Sequence, residues 1–328
     1  MTPTLAEAPL EIVTPQSVAE IPNAVAGTID VAILDMNHGH TNLGHDAIVG
    51  TVERIAGELG EELAARGRRV RVVSLPVRDR HVVPPPGRFG LLIGTGGPGH
   101  IDPRRNRTQA EGTIVEDAAW EAPFFALMDA IRDDGETAVI AICHTYGVLC
   151  RWAKIAEPVL RDAVLGGRSI GINCTALTDR ALAHPWFAPM VAELRGATRF
   201  PVVDSRYYDL VPTGELPAGT TALGFESDER GERRRALTMV EFARRADDTA
   251  PRILGVNHHP EVVSADALEA ALQRGRAAGE ISDEVYRSRS AIITELRRPG
   301  HDETARSVGS AYTFTRLVRH HLERMIAA

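Results

Sequence analysis

Short, almost wholly apolar segments alternate with longer amphipathic segments through the first half of this chain, and this alternation limits its fold more than any other feature. The apolar segments have the length of buried strands, and the amphipathic ones have a helical period. Because parallel strands are joined by helical crossovers, the pattern predicts an α/β fold with a mostly parallel sheet and helices on both faces. The predicted strands are TIDVAILDM (28–36), RRVRVVSLP (68–76), FGLLIGTGG (89–97), TAVIAIC (137–143) and ILGVNHHPE (253–261).

Two segments of different character flank this predicted α/β domain, which spans residues 28–263. Residues 1–27 are rich in Pro, Ala and Thr and lack a period, so we expect an N-terminal arm that need not be ordered. Residues 264–328 contain three amphipathic stretches, which predict a helical C-terminal extension. Periodicity alone leaves open whether these helices form a lid, a homo-oligomer interface or a docking surface.

Composition excludes several classes of function. The formal net charge of −7 and the sequence pI of about 6.0 argue against a nucleic-acid partner. No segment is apolar enough to suggest a membrane span, and the N-terminus does not have the pattern of a signal peptide. The one lysine, Lys154, is not part of a Walker-type loop. We therefore expect a cytoplasmic protein that acts on a small molecule and needs no cofactor.

The three cysteines do not form a disulfide or zinc pattern, and one of them has the context of a nucleophile. Cys143 follows a predicted strand and precedes a predicted helix, with small residues two positions away on each side. A sharp strand-to-helix elbow needs such neighbours, and the N–H groups of the following helix favour a thiolate. Cys150 and Cys174 are more typical of core residues.

A base and an orienting acid follow the last predicted strand. His259 and Glu261 are two residues apart, so at a strand end they would point to the same side. Pro260 restricts His259 to an extended backbone. A thiol nucleophile needs a base to take its proton and an acid to orient that base, so the sequence predicts a Cys-His-Glu triad.

A glycine loop follows the strand FGLLIG. Gly96 and Gly97 would let backbone N–H groups face the oxyanion of a tetrahedral intermediate. Gly94, Gly96 and Gly99 also fit the dinucleotide fingerprint G-x-G-x-x-G, but Pro98 and the following residues do not open a helix there. The oxyanion function is therefore the favoured interpretation.

These three segments together resemble the class I glutamine amidotransferases. The shared features are the loop Thr95–Pro98, the elbow at Cys143 and the strand Gly255–Glu261 with its His-Pro-Glu ending. The resemblance covers residues 28–263 and implies a flavodoxin-like, doubly wound sheet and a thiol that attacks an amide through a thioester. It also implies an amide donor, and an acceptor or synthase protein that would take up any ammonia released.

The elbow departs from the family pattern. The family usually has Cys-x-Gly-x-Gln, whereas this chain has Thr145 and Gly147 at the glycine and glutamine positions. Ser205–Tyr207 and the helical tail are similar instead to the homoserine O-succinyltransferase branch. An arginine early in such a tail can hold a carboxylate, and Arg274 and Arg276 occupy that part of the chain, although a solvated helix face is the favoured interpretation for both.

The candidate site residues form two sets. The catalytic set is Cys143, His259 and Glu261. The oxyanion-binding and substrate-binding set is Gly96, Gly97, His144, Tyr146 and Arg206. Weak candidates for a metal site are His38, His40 and His45, but H-x-H alone is a weak motif, so a polar loop without a metal is favoured.

Three functions remain open. The favoured one is an amidotransferase or amidohydrolase that acts on glutamine or a related carboxamide. The second is an O- or N-acyltransferase of the homoserine succinyltransferase type that uses acyl-CoA. The third is a non-catalytic regulator, a hypothesis suggested by the missing elbow glycine and glutamine.

Overall fold

The computed structural model describes residues 10–40, 43–106, 114–165, 167–228, 230–262, 264–298 and 302–328. Over these residues it contains twelve strands and eleven α-helices. In chain order, the strands are β1 Glu11–Val13, β2 Thr28–Asp35, β3 Arg69–Pro76, β4 Leu91–Gly94, β5 Ala138–Ile142, β6 Ala156–Leu160, β7 Ser169–Leu177, β8 Arg199–Arg206, β9 Tyr208–Pro212, β10 Thr221–Ser227, β11 Arg233–Arg244 and β12 Pro251–Val256.

Ten of these strands form one sheet in the order β1-β3-β2-β4-β5-β12-β11-β10-β7-β8. Neighbours from β1 to β12 are parallel, and those from β12 to β8 are antiparallel. The five strands β3-β2-β4-β5-β12 follow the 2-1-3-4-5 order of the flavodoxin-like doubly wound fold, so the predicted fold class is confirmed. β6 and β9 form a separate antiparallel pair.

Helices cover both faces of the sheet. Alternate residues of β2 belong to two different hydrophobic clusters, because successive side chains of a strand point to opposite faces. α1 packs on one face and α4 on the other. The helices are α1 Leu43–Glu58, α2 Gly60–Ala65, α3 Val77–Arg80, α4 Glu121–Asp134, α5 His144–Trp152, α6 Asp179–Leu182, α7 Ala188–Glu193, α8 Ala265–Ala277, α9 Asp283–Leu296, α10 Glu303–Ser310 and α11 Arg316–Ala327.

The N-terminal segment is structured from residue 11. β1 pairs in parallel with β3, and a 3-10 turn spans Val18–Glu20. Residues 1–9 lie outside the described residues, so the expected arm remains a prediction for them. Within the expected arm, Glu11–Val13 extend the sheet by one strand.

The C-terminal extension is helical, as predicted, and packs against the chain's own sheet. α8 and α9 form a hydrophobic cluster with residues of β7 and β8. A π-helical turn, Ala311–Thr315, joins α10 to α11, and α11 contributes Leu317, Val318 and Leu322 to the cluster that contains α1. Homo-oligomerisation through these helices remains a prediction. No helix among the described residues is long and apolar enough to cross a membrane.

Candidate active site

Cys143 lies at a sharp turn between β5 and α5. Its φ of 48° and ψ of −99° are unusual for a residue with a side chain, and such strain is found at nucleophile elbows. The Cys143 N–H donates to Val256 O of the adjacent strand β12 at 2.8 Å. The thiol Sγ donates to Ser205 O of β8 at 3.9 Å, so the ends of three strands surround it.

His259 and Glu261 lie just beyond β12, next to Cys143. His259 Nδ1 is 2.8 Å from Glu261 Oε1, and the imidazole and the Cys143 side chain both lie against Gly96. The His259 N–H donates to Val203 O of β8 at 2.8 Å, which anchors the backbone of the base. The structure thus brings together the three residues of the predicted triad, in the order nucleophile, base and acid.

The electrostatics of His259 follow from its partners. Burial alone would lower the pKa of His259, but the negative charges of Glu261 and Cys143 together raise it well above the ordinary histidine value. The neighbouring His258 is also buried, but within the part of the chain that the structure describes its ring nitrogens have no hydrogen-bond partner, and burial lowers its pKa to about 3. Of the two histidines in this segment, His259 is therefore the one equipped to hold a proton beside the thiol.

The glycine loop after β4 packs directly on the triad. A Cβ on Gly96 would lie 2.9 Å from His259 Cε1 and 3.5 Å from Cys143 Cβ, so a side chain here would displace the base. A Cβ on Gly97 would overlap Met36 O. The loop does not open an α-helix, since a 3-10 turn at Pro103–Arg105 follows it, as expected from Pro98. This geometry does not match a dinucleotide-binding turn.

A buried arginine holds this loop, and the sequence analysis missed it. Arg78 Nη1 donates to Met36 O at 2.7 Å and to Pro98 O at 2.9 Å. Its Nε and Nη2 donate to the two oxygens of Glu116 at 2.6 and 2.7 Å, and both side chains are fully buried. In the sequence, VRDR is typical of an exposed turn. The buried partner Glu116 is 38 residues away, so no local pattern predicts that Arg78 holds the glycine loop.

His144 is the first residue of α5 and lies beside the glycine loop. Its backbone N–H begins the helix, where amides lack intrahelical acceptors and can face an anion. Burial lowers the pKa of the imidazole well below the ordinary value, and the charges of Arg78 and His100 act in the same direction. The ring is therefore neutral, and Nε2 has no hydrogen-bond partner among the described residues.

Tyr146 and Arg206, two predicted substrate-binding residues, have their polar groups engaged in the protein interior. The Tyr146 hydroxyl donates to Leu237 O of β11 at 3.1 Å. The Arg206 guanidinium is buried among Asp204, Asp209 and Glu226. Burial by itself would lower the pKa of Arg206, but the three carboxylates raise it. This arginine is thus neutralised by its own network.

The two elbow positions that differ from the family pattern are filled by packing. Thr145 Oγ1 donates to Thr95 O at 2.7 Å, which ties α5 to the glycine loop. A Cβ on Gly147 would overlap the side chain of Ile101. An apolar side chain therefore covers the position at which the family carries glutamine.

The histidines after β2 do not form a recognisable metal centre. Within the described part of the chain, no group of three or more His, Cys, Asp or Glu side chains has a suitable arrangement. His45 Nε2 lies 2.8 Å from Ser74 Oγ. His38 and His40 occupy the loop before residues 41 and 42, which are outside the described residues.

The tail arginines differ in position. Arg274 and Arg276 are exposed on α8, and Arg276 pairs with Asp283 at 2.9 Å, as expected for a solvated helix face. Arg289 of α9, which the sequence analysis did not single out, donates from Nη1 to Ser205 Oγ at 2.9 Å. An arginine of the tail therefore contacts the hydroxyl of the same serine whose carbonyl contacts Cys143.

Comparisons with known proteins add little beyond the fold. No family model matches the chain, and no curated protein matches its sequence. Similar solved structures include a protein described as a GMP synthase subunit from Thermoplasma acidophilum, at 13% identity and a TM-score of 0.41, covering 81% of this chain and 96% of that one.

Two further structures have comparable scores. The glutaminase domain of a Trypanosoma brucei CTPS, with bound acivicin, is 10% identical with a TM-score of 0.44, covering 82% of this chain and 93% of that one. A ThuA-like protein from Bacteroides uniformis is 8% identical with a TM-score of 0.38, covering 74% and 89%. Similarity at this level carries no argument about activity.

Proposed function

We propose that this protein is a cysteine-dependent acyl-transfer enzyme of the class I amidotransferase type, which cleaves a carboxamide through a thioester. The observation that carries the proposal is the joint position of Cys143 at a strained elbow, of the hydrogen-bonded His259–Glu261 pair beside it, and of Gly96 packed against Cys143 and His259. A strained turn, a histidine–glutamate pair or a close-packed glycine can each be explained by packing alone. Packing alone gives no reason for all three to lie at one place.

The proposed reaction uses these groups in two steps. His259 takes the thiol proton of Cys143, the sulfur attacks the amide carbon, and backbone N–H groups near Gly97 and His144 stabilise the oxyanion. His259 protonates the leaving nitrogen, so the C–N bond breaks, ammonia leaves and a thioester remains. His259 then takes a proton from water, which attacks the thioester and releases the carboxylic acid and the thiol. Glu261 keeps the imidazole oriented and stabilises its protonated form.

A second candidate is an acyltransferase that uses acyl-CoA. It is favoured by the elbow, where Ile101 covers Gly147 and no glutamine side chain is present. In this reaction CoA is the leaving group, and an amine or alcohol instead of water attacks the thioester. The amidotransferase reaction, by contrast, releases ammonia, and a separate acceptor or synthase protein would use it.

The test is a search for a covalent adduct by intact mass spectrometry. The full-length protein is incubated with glutamine, and separately with succinyl-CoA plus small amino acids. Ammonia release from glutamine that is lost in Cys143→Ala supports the amidotransferase, and CoA release lost in the same variant supports the acyltransferase. Cys174→Ala is the matched control, because that thiol is half-buried and burial raises its pKa.

The same experiment can reject both proposals. A Cys143 that forms no adduct with either donor, and that reacts with a small thiol reagent no faster than Cys174, would favour the non-catalytic alternative. Glu261→Gln gives an independent check, since it should slow adduct formation while leaving the thiol in place.

A further inference from the structure

A cleft of about 1020 Å³ lies against strands β7, β8 and β10, in the antiparallel part of the sheet. Cys174 of β7 is the direct partner of Ser227 in β10 and of Pro201 in β8. Direct partners in an antiparallel sheet carry their side chains on one face, so these three residues form a row across three strands. All three line the cleft and none of the catalytic residues does, so it is a cavity separate from the triad.

Ser227 presents a buried hydroxyl to this cleft. The residue is 2% exposed, and its Oγ has no hydrogen-bond partner among the described residues. The large majority of buried side-chain polar atoms have at least one partner. An unsatisfied hydroxyl in the wall of a cavity therefore indicates a position at which a polar atom of a ligand would bind.

The charged side chains along the cleft leave a positive excess. The described residues that line it include five arginines and four carboxylates, whereas the whole chain has a formal net charge of −7. The carboxylates have partners within the protein: Glu226 accepts from Arg161, Glu193 from Arg316, Asp302 from the N–H of Ala305, and Asp228 from the N–H of Glu232.

Two of the five arginines are not paired with a carboxylate in the part of the chain that the structure describes. Arg195, just after α7, forms no hydrogen bond or ion pair there. Arg168, just before β7, donates from Nη1 to the hydroxyl of Tyr207 at 3.2 Å. Both side chains are exposed and line the cleft. Guanidinium groups in this position are suited to bind an anion.

The number and direction of these groups favour a phosphate. The arginines reach the cleft from different elements, with Arg195 after α7, Arg168 before β7 and Arg234 on β11. A phosphate monoester has a charge near −2 and three terminal oxygens, so it can accept from more than one guanidinium at once. The cleft is far larger than a phosphate ion and is at the upper end of the range for small-molecule sites, so the ligand also has an organic part.

We propose that this cleft binds an organic phosphate, with Arg195 and Arg168 on the phosphate group and the Ser227 hydroxyl hydrogen-bonded to the ligand. The chemical class includes sugar phosphates and nucleotides, which present the same phosphate. This inference does not depend on the reaction proposed for Cys143, because the two sites share no residue.

The thiol of Cys174 reports on the occupancy of the cleft, since it is half-buried in the same row as Ser227. Full-length wild-type protein is labelled with N-ethylmaleimide in glucose 6-phosphate or AMP, and peptide mass spectrometry gives the rate at each cysteine. The references are glucose and adenosine, the uncharged counterparts, with sodium chloride at equal ionic strength. Cys143, outside the cleft, is the internal control.

We expect glucose 6-phosphate or AMP, at ten times its Kd, to slow the labelling of Cys174 about 10-fold and to leave that of Cys143 unchanged. Arg195→Gln should raise the concentration for half protection roughly 10–100-fold, because it removes a charged hydrogen bond. Ser227→Ala should raise it roughly 2–10-fold, as for a neutral hydrogen bond. Arg180→Gln is the matched control, since Arg180 is exposed on α6 outside the cleft, and it should have no effect.

The result that overturns the inference without any variant is labelling of wild-type Cys174 that neither phosphate slows more than its uncharged counterpart does. Protection of Cys143 to the same extent as Cys174 also overturns it, because the ligand would then bind elsewhere. Equal weakening by Arg195→Gln and Arg180→Gln would assign the effect to general surface charge and would likewise overturn it. Protection by one phosphate only supports the inference and shows whether a sugar phosphate or a nucleotide fits.

Discussion

Replacing Arg78 with methionine should destabilise the protein strongly, because it leaves a carboxylate buried without its counter-ion. Arg78 and Glu116 are fully buried and joined by two hydrogen bonds, at 2.6 and 2.7 Å. The same guanidinium satisfies the carbonyls of Met36 and Pro98. Methionine fills most of the space but donates no hydrogen bond, so Glu116 and both carbonyls lose this donor.

The magnitude follows from what remains around Glu116. Trp120 Nε1 still donates to it at 2.9 Å, and the side chain of Asn106 also contacts it, so the carboxylate keeps part of its solvation. Removing one partner of a buried ion pair typically costs about 3–5 kcal/mol. We expect Arg78→Met to lower the free energy of unfolding by about that amount, a large fraction of the total for most domains.

Urea unfolding monitored by tryptophan fluorescence measures this change, with Trp120 as a reporter beside the pair. The matched control is Arg54→Met, because Arg54 pairs with Glu58 at 2.7 Å on an exposed helix face, where about half of each side chain is accessible. That control should cost less than about 1 kcal/mol. If Arg78→Met lowers the free energy of unfolding by no more than the control does, Arg78 does not hold the glycine loop through a buried ion pair.

Two other predictions concern the base and the tail. Glu261→Gln should lower the raised pKa of His259, which NMR titration measures. The free energy of unfolding lost in the variant should be greatest below about pH 6.5 and should shrink as the pH rises through the raised pKa of the wild type. An unchanged titration of His259 would contradict the triad. Gly309→Ala should lower the stability measured by thermal unfolding, because a Cβ there would overlap the ring of Phe200. The control, Gly57→Ala, is at an open helical position and should stabilise the protein by about 0.5–1 kcal/mol. Equal effects of the two substitutions would contradict the close packing of α10 on β8.

The doubly wound core and the meeting of Cys143, His259 and Glu261 could be predicted from the sequence. β5 and β12 are apolar at almost every position, and each is followed by a reactive side chain, Cys143 directly after one and His259 three residues after the other. Because parallel strands present their carboxyl ends at one edge of a sheet, residues with this placement meet even when far apart along the chain. At these positions the apolar strand pattern and the reactive side chains predict the same arrangement, a thiol and an imidazole at one edge of the sheet.

The remaining features depend on partners that no local pattern reveals. β1 is three residues long and its side chains are largely exposed, so backbone pairing with β3 leaves almost no signal in the sequence. No local pattern distinguishes Arg78 from an exposed arginine, because its partner Glu116 is 38 residues away. Arg206, predicted to bind substrate, is instead enclosed by carboxylates from three strands. Arg289 is one of two arginines on α9, and only the packing of that helix places it against Ser205.

The elbow shows what replaces the family's glycine and glutamine in this chain. At the elbow, Gly147 carries no polar side chain and is covered by Ile101, so α5 cannot supply an amide contact at that position. Thr145, at the family's glycine position, is likewise engaged, since its hydroxyl donates to Thr95 O at 2.7 Å. Both departures from the family pattern therefore serve packing between α5 and the loops above it, and under the proposed function any side-chain contact with the substrate must come from other elements.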